Sequence, residues 1–129
     1  KAPVNTLYVL KIDYDGNSVH CNGFYDTGNS LKEPFTDYPV IVLNKAIAKK
    51  LFENEISLDI VKNGVPVFRP LFCSTVAGSE MLLCFRADRV CVKGINCNFE
   101  TDKVYIALTD KKIKNGRNSL SAYVNIFRN

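Results

Sequence analysis

The chain has 129 residues, 47% of them hydrophobic and 23% charged, which is the balance of one globular domain able to bury about two-thirds of its surface. Its formal charge of +4 lies in the ordinary soluble range, and no RNP, helix-turn-helix or zinc-finger pattern accompanies it, so nucleic acid is not the expected partner. Disorder is excluded, and no run of about eighteen apolar residues offers a membrane span.

Val4 to Ile12 is apolar and rich in β-forming residues, and Asp15-Gly16 after it is a hairpin turn signal. Val19 to Tyr25 then reads as the partner strand, with one of Phe24 and Tyr25 facing the core by alternation. That hairpin delivers Asp26 at a strand end, where the ladder holds the backbone and the side chain is free to face a cleft.

Asp26-Thr27-Gly28-Asn29-Ser30 forms a loop in which Gly28 can take positive φ or admit a close backbone. Two readings of Asp26 stand at this point, a catalytic carboxylate and a turn-closing Asx residue. Asn29 and Ser30 divide in the same way between shaping the turn and contacting substrate. Glu33 and Asp37 read as surface charges.

Val40 to Leu43 is a short continuous apolar run suited to an interior strand. Asn44 is an N-cap for "KAIAKKLFEN", whose pairs Ile47/Leu51 and Ala48/Phe52 predict a supporting helix of about two to three turns. Asn63-Gly64 is a turn, and Val65 to Val76 is extended, with Pro66 and Pro70 at edge or bulge positions. Ala77-Gly78-Ser79-Glu80 reads as the turn of a hairpin continued by Met81 to Val92. Val104 to Leu108 is a buried strand, Asn115-Gly116 a turn, and Ala122 to Phe127 a terminal strand. About eight strands and one short helix are expected.

The five cysteines, Cys21, Cys73, Cys84, Cys91 and Cys97, are odd in number and show neither CxxC nor a Cys/His ligand spacing. They read as small core residues in a reducing compartment, and no metal or cofactor is expected. His20 is the only histidine, which leaves no multi-histidine metal site. Lys49 and Lys50, then Lys111, Lys112, Lys114 and Arg117, read as solvated basic clusters.

A carboxylate followed by threonine and glycine suits aspartic-protease chemistry. There a carboxylate takes a proton from the attacking water while a neighbouring carboxylic acid polarises the scissile carbonyl. Two acids about 3 Å apart do not both ionise, which separates their pKa values and supplies both roles. No other aspartate here is followed by Thr-Gly, so one chain holds half of such a site. A C2 homodimer would complete it by placing Asp26 of each chain beside its twin.

The longer run "DTGNSLKEPFTDYPVIV" resembles the protease domain of the sporulation sigma-E factor processing peptidase family through Asp26, Thr27, Gly28, Asn29, Leu31, Pro34, Thr36, Pro39 and Val40. Ser74 to Val90 resembles that family's second characteristic segment, although Ala87 stands where proline is expected and Cys84 where glycine is common. The resemblance implies a mostly-β, retropepsin-like protomer with a closed barrel-like core, one short helix and a flap hairpin. Residues 1–129 would then be one aspartic protease domain, the soluble fragment of a larger membrane protein whose preceding region anchors it.

By the same resemblance the domain faces the mother-cell cytoplasm. It removes the pro-sequence from a sporulation sigma-factor precursor as a homodimer, and an activating protein partner is conceivable. Asp26 would be the catalytic residue, and Thr27, Gly28 and Asn29 would form the active-site loop and dimer contact. Val76, Ala77, Gly78 and Ser79 would form the flap tip. The competing expectation is a non-catalytic, protein-binding module that retains the protease fold.

Overall fold

The structure, a computed structural model, describes residues 7–25, 31–53, 55–75, 78–95, 97–111, 113–115, 118–120 and 122–124. The first hairpin agrees closely with the sequence signals. Strands β1 (Leu7–Tyr14) and β2 (Asn17–Tyr25) pair antiparallel from Leu7↔Phe24 to Tyr14↔Asn17. Asp15 and Gly16 between them both take positive φ, 50° and 82°, as a two-residue turn requires. Alternation in β1 sends Tyr8, Leu10, Ile12 and Tyr14 inward and leaves Leu7 and Val9 half exposed.

β3 (Val40–Asn44) is buried on both faces, which is why it reads as unbroken apolar sequence rather than as alternation. Asn44 caps the helix that begins at Lys45, its Oδ1 accepting from the Ala46 N–H at 2.9 Å. That helix is shorter and tighter than expected: α1 (Lys45–Ala48) passes into a 3-10 turn at Lys49–Phe52, which ends at Glu53 with φ 54°. The fully buried pair is Ala48 and Leu51, an i,i+3 spacing that a 3-10 turn brings onto one line.

The extended region Val65 to Val76 divides in two. β4 (Val61–Lys62) and β5 (Val65–Pro66) close a small ribbon over Asn63-Gly64, and β6 (Arg69–Thr75) begins after the Val67 N–H bonds the Ile60 carbonyl at 2.9 Å. β7 (Gly78–Arg86) pairs with β6 from Arg69↔Cys84 to Thr75↔Gly78. Gly78, Ser79 and Glu80 therefore belong to a strand, which corrects the expected turn Ala77-Gly78-Ser79-Glu80. The run Met81 to Val92 also breaks, at Ala87-Asp88, before β8 (Arg89–Gly94). The remaining strands are β9 (Cys97–Thr101), β10 (Tyr105–Thr109), β11 (Ile113–Asn115), β12 (Asn118–Leu120) and β13 (Ala122–Val124).

Nine of these strands form one sheet in the order β6-β7-β10-β3-β13-β2-β1-β8-β9. β7 and β8 are six places apart in that order, about 29 Å if the sheet lay flat at about 4.8 Å per strand. The chain joins them through Ala87 and Asp88, a path of at most about 11 Å. The sheet must therefore curl until its two halves face each other. The Tyr14 ring of β1 accordingly lies 5.3 Å from that of Phe85 in β7, and the Asp88 N–H bonds the Asp13 carbonyl at 2.9 Å.

The closed barrel expected from the sequence is not formed among the described residues, because β6 and β9 end the sheet as unpaired edges. The curl alone seals the interior, with α1 and the 3-10 turn packed into it. Leu10, Ile12, Ile41, Leu43, Leu51, Phe85, Val90, Val92, Val104 and Ile106 are fully buried, each contributing about 1.5–3 kcal/mol of apolar burial if it is a large side chain. A second, smaller cluster lies on the outer face: Val40, Leu71, Cys73, Cys84, Tyr105 and Ala107, with Leu31, Tyr38 and Leu82 against it.

Candidate active site

Asp26, Thr27, Gly28 and Asn29 lie outside the described residues, as do Val76 and Ala77, but the elements that hold both segments are described. β2 ends at Tyr25, with Val124 of β13 beside it in parallel pairing. β13 in turn pairs antiparallel with β3, Ala122↔Leu43 and Tyr123↔Val42. Two strands consecutive along the chain, β2 and β3, are thus separated in the sheet by a strand much later in the sequence. The connection carrying Asp26 to Ser30 has to bridge a gap of about 9.6 Å across the end of β13.

The second half of that connection is a braced segment lying on the outer face. Lys32 bridges Pro39, the Glu33 N–H donates to the Tyr38 carbonyl at 2.9 Å, and the Asp37 N–H donates to the Glu33 carbonyl at 2.8 Å. At its centre stands Glu33, 3% exposed, which corrects the expectation of a surface charge. Its Oε1 accepts from the Phe35 N–H at 3.1 Å, the Thr36 N–H at 2.8 Å and the Thr36 hydroxyl at 2.8 Å. Burial by itself would push this carboxyl up, but those three bonds and the Arg69 charge outweigh it and hold Glu33 below the usual carboxylate range. Asp37, by contrast, is exposed as expected and pairs with Lys32 at 3.5 Å.

The residues of the "LKEPFTDYPV" run now have structural roles. Leu31 and Tyr38 pack on the outer cluster, and Thr36 Oγ1 also accepts from the Tyr38 N–H at 3.2 Å. The Pro39 carbonyl receives the Tyr105 N–H at 3.0 Å, and the Leu31 carbonyl receives the Val40 N–H at 3.2 Å. The loop is thereby tied at its far end to β3 and β10, while β2 holds its near end.

Beside this brace is a group of cations and rings that sequence reasoning missed. Arg69 of β6 lies over Phe35 at 5.7 Å and over Tyr105 at 5.3 Å, and its Nη2 donates to the Tyr105 hydroxyl at 2.5 Å. Arg86 of β7 lies over Tyr38 at 5.2 Å while its Nε and Nη2 both donate to the Asp102 carbonyl. No local sequence pattern joins positions 33–38 to Arg69, Arg86 and Tyr105. The sheet order alone does so.

Of the flap candidate, Gly78 and Ser79 are described, as the first residues of β7 in its antiparallel pairing with β6. β7 pairs with β10 only as far as Leu83↔Leu108, so the stretch from Leu82 through Gly78 and back along β6 is a two-stranded ribbon projecting past β10. Phe72 and Met81 are directly opposed on it and stay 75% and 49% exposed. Gly78 has φ 127° beside the two-residue connection. Tyr25, the last described residue of β2, is level with Ile41 and Ile106.

Elsewhere, a groove of about 510 Å³ runs beside the β4–β5 ribbon, lined in part by Tyr14, Lys62, Val65, Asp88 and Asp102. There Lys62 is paired to Asp15, and Asp88 Oδ2 accepts the Asp15 N–H at 2.7 Å. Cys21, Cys73 and Cys84 are free, buried thiols, and burial pushes Cys21 up to about 12 and Cys84 up to about 11. Those are inert core residues, as expected, rather than nucleophiles. Among the described residues no helix is long and apolar enough to cross a membrane.

Residues 1–119 match the family model described as sporulation factor SpoIIGA, a peptidase family. The chain belongs to this family. The matched span takes in Asp26 to Asn29, the braced segment and the hairpin, and stops short of β13. A relative in Clostridium acetobutylicum, "Probable sporulation sigma-E factor-processing peptidase", is 44% identical over 45 residues. That stretch is 35% of this chain and 17% of the relative's length. No solved structure matches the chain.

Proposed function

We propose that this domain is the catalytic unit of an aspartic endopeptidase that works as a homodimer, with Asp26 of each chain at the shared site. What supports the reading is the only Asp-Thr-Gly of the sequence, which follows β2 along the chain and precedes the braced residues 31–40, within a chain that belongs to a peptidase family. Asp26 of one protomer acts as base toward water while its twin, protonated, polarises the scissile carbonyl. Thr27 and Gly28 make the close approach of the two loops, and Asn29 completes the loop.

The fold is read as retropepsin-like, with β6–β7 as the flap. Extended substrate lies between flap and aspartates, held by backbone hydrogen bonds as an added strand. The substrate is the precursor of a sporulation sigma factor, as the relative's name suggests. A preceding membrane region anchors the domain at the mother-cell membrane, facing the cytoplasm.

The test is precursor cleavage by the membrane-tethered full-length protein and its Asp26→Asn variant. Loss of general acid–base catalysis lowers the rate at least about a hundredfold. Cleavage at the wild-type rate by Asp26→Asn removes Asp26 from the mechanism, whereas no cleavage by either protein leaves a protein-binding module as the better reading. Sedimentation of the active species distinguishes the shared site from a monomeric one.

A further inference from the structure

We infer that Glu33 is a positioning residue for the proposed active-site loop: its buried, hydrogen-bonded carboxylate fixes the turn three residues after Ser30, the segment into which Asp26 to Ser30 run. The inference rests on the reading of Asp26 as catalytic and goes beyond it, since nothing in the family match or in the Asp-Thr-Gly triplet assigns a role to position 33.

The geometry is specific. Three donors from two successive residues converge on one oxygen, Oε1, so the carboxylate acts as the centre of a turn rather than as half of an ion pair. That turn fixes Thr36, whose hydroxyl holds the Tyr38 N–H, and the Glu33 main chain closes the segment on Tyr38 and Asp37. Leu31 stands two residues before Glu33 and one residue beyond the loop, and it is fixed to Val40 by a backbone bond and by packing on the outer cluster. Displacing the turn therefore displaces the anchor from which the loop departs. In a site made of two loops meeting at an axis, each displacement acts twice. A misplacement of about 1 Å remote from the chemistry is enough to cost about a hundredfold in rate.

Burying a charge for fold stability alone is a poor device, because an apolar side chain of similar size would serve as well or better. A carboxylate that organises three donors into one turn has a different consequence: it holds a single conformation. The arrangement also explains why Pro34 and Thr36 flank it, one restricting the residue before the turn and the other supplying two of its donors.

The experiment compares Glu33→Ala with Glu33→Gln in the membrane-tethered full-length protein, reading kcat and KM for precursor cleavage beside Asp26→Asn. Because the bonds fall on one oxygen, the amide oxygen of Gln can accept them and Ala cannot. Glu33→Ala is expected to lower kcat about tenfold or more with KM within about twofold, and Glu33→Gln to restore most of the rate. Folded fraction is measured in parallel by limited proteolysis, at a temperature where every variant is protected.

Wild-type kcat in Glu33→Ala overturns the inference, as does equal impairment of Ala and Gln, or a loss that merely follows the unfolded fraction. If Asp26→Asn cleaves at the wild-type rate, the catalytic reading fails on its own. An inactive Asp26→Asn beside a fully active Glu33→Ala defeats only the positioning role.

Discussion

Phe85 is the side chain on which the curl of the sheet turns. It is fully buried and meets three rings nearly edge-on: Tyr14 at 5.3 Å and 74°, Phe52 at 5.1 Å and 88°, and Phe68 at 5.7 Å and 75°. Those rings come from β1, the 3-10 turn and the residue before β6, so one side chain joins three parts of the curl. Phe85→Ala removes the ring and leaves a cavity, at about 3–5 kcal/mol. Phe85→Leu keeps most of the apolar volume and loses mainly the ring contacts, each about 0.5–1.5 kcal/mol and not fully additive, so about 1.5–3 kcal/mol is expected.

With a urea m-value of about 1.5 kcal/mol per molar, Leu lowers the midpoint by about 1–2 M and Ala by about 2–3 M. The chain has no tryptophan and six tyrosines, so unfolding is followed by tyrosine fluorescence and far-UV circular dichroism together. Phe72→Leu, on the 75% exposed ring of β6, is the control and shifts stability by no more than about 0.5 kcal/mol. If Phe85→Leu moves the midpoint no further than Phe72→Leu, the ring cluster does not hold the curl and the reasoning fails.

Three further outcomes are expected. Glu33 titrates below its unfolded-state range in the folded protein, so the stability it contributes is complete above the ordinary carboxylate range and is lost as pH falls through the depressed value. Acid unfolding curves of wild type and Glu33→Gln should converge toward low pH, and parallel curves would contradict this. Cys21 and Cys84, with thiols pushed up to about 12 and about 11, should resist a thiol reagent at pH 8 in the native state and react on unfolding. Mass-mapped labelling checks this, and rapid native modification of either residue refutes their burial. Gly78→Ala places a side chain at φ 127° where no atom lies within 4 Å of the new Cβ, so its cost, about 1–3 kcal/mol, is backbone strain alone. Because no third strand pairs with the ribbon beyond Leu83 among the described residues, that cost should appear as faster amide exchange in β7 near Gly78, and unchanged exchange there counts against the strain argument.

Local chemistry made the first hairpin and the interior strand legible: Asp15-Gly16 and Asn63-Gly64 each adopt the positive φ values that their turns need, and Asn44 caps as its side chain suggests. What stayed hidden depends on long-range pairing. The break at Ala87-Asp88 is made by bonds to Asp13 and Asp15, which no window around residue 88 contains. β9 alternates Phe99 and Thr101 with Asn98 and Glu100, but over five residues with one large apolar side chain the pattern is too short to stand out without its partner β8. Glu33 looked like a surface charge because carboxylates usually are, and only the three converging donors with Arg69 nearby show otherwise. Of the candidate site, the Asp-Thr-Gly triplet is read from the sequence alone, and the brace at residues 31–39 comes from the structure alone.

The insertion of β13 between β2 and β3 bears on when such an enzyme can first exist. Gly23 and Ala122 are paired neighbours in space and stand almost the whole chain apart in sequence. During synthesis, β2 and β3 emerge well before β13, the strand that fixes their spacing. A nascent chain would therefore carry the Asp-Thr-Gly segment without the frame that spaces its two flanking strands, and that spacing would be set only after β13 left the ribosome.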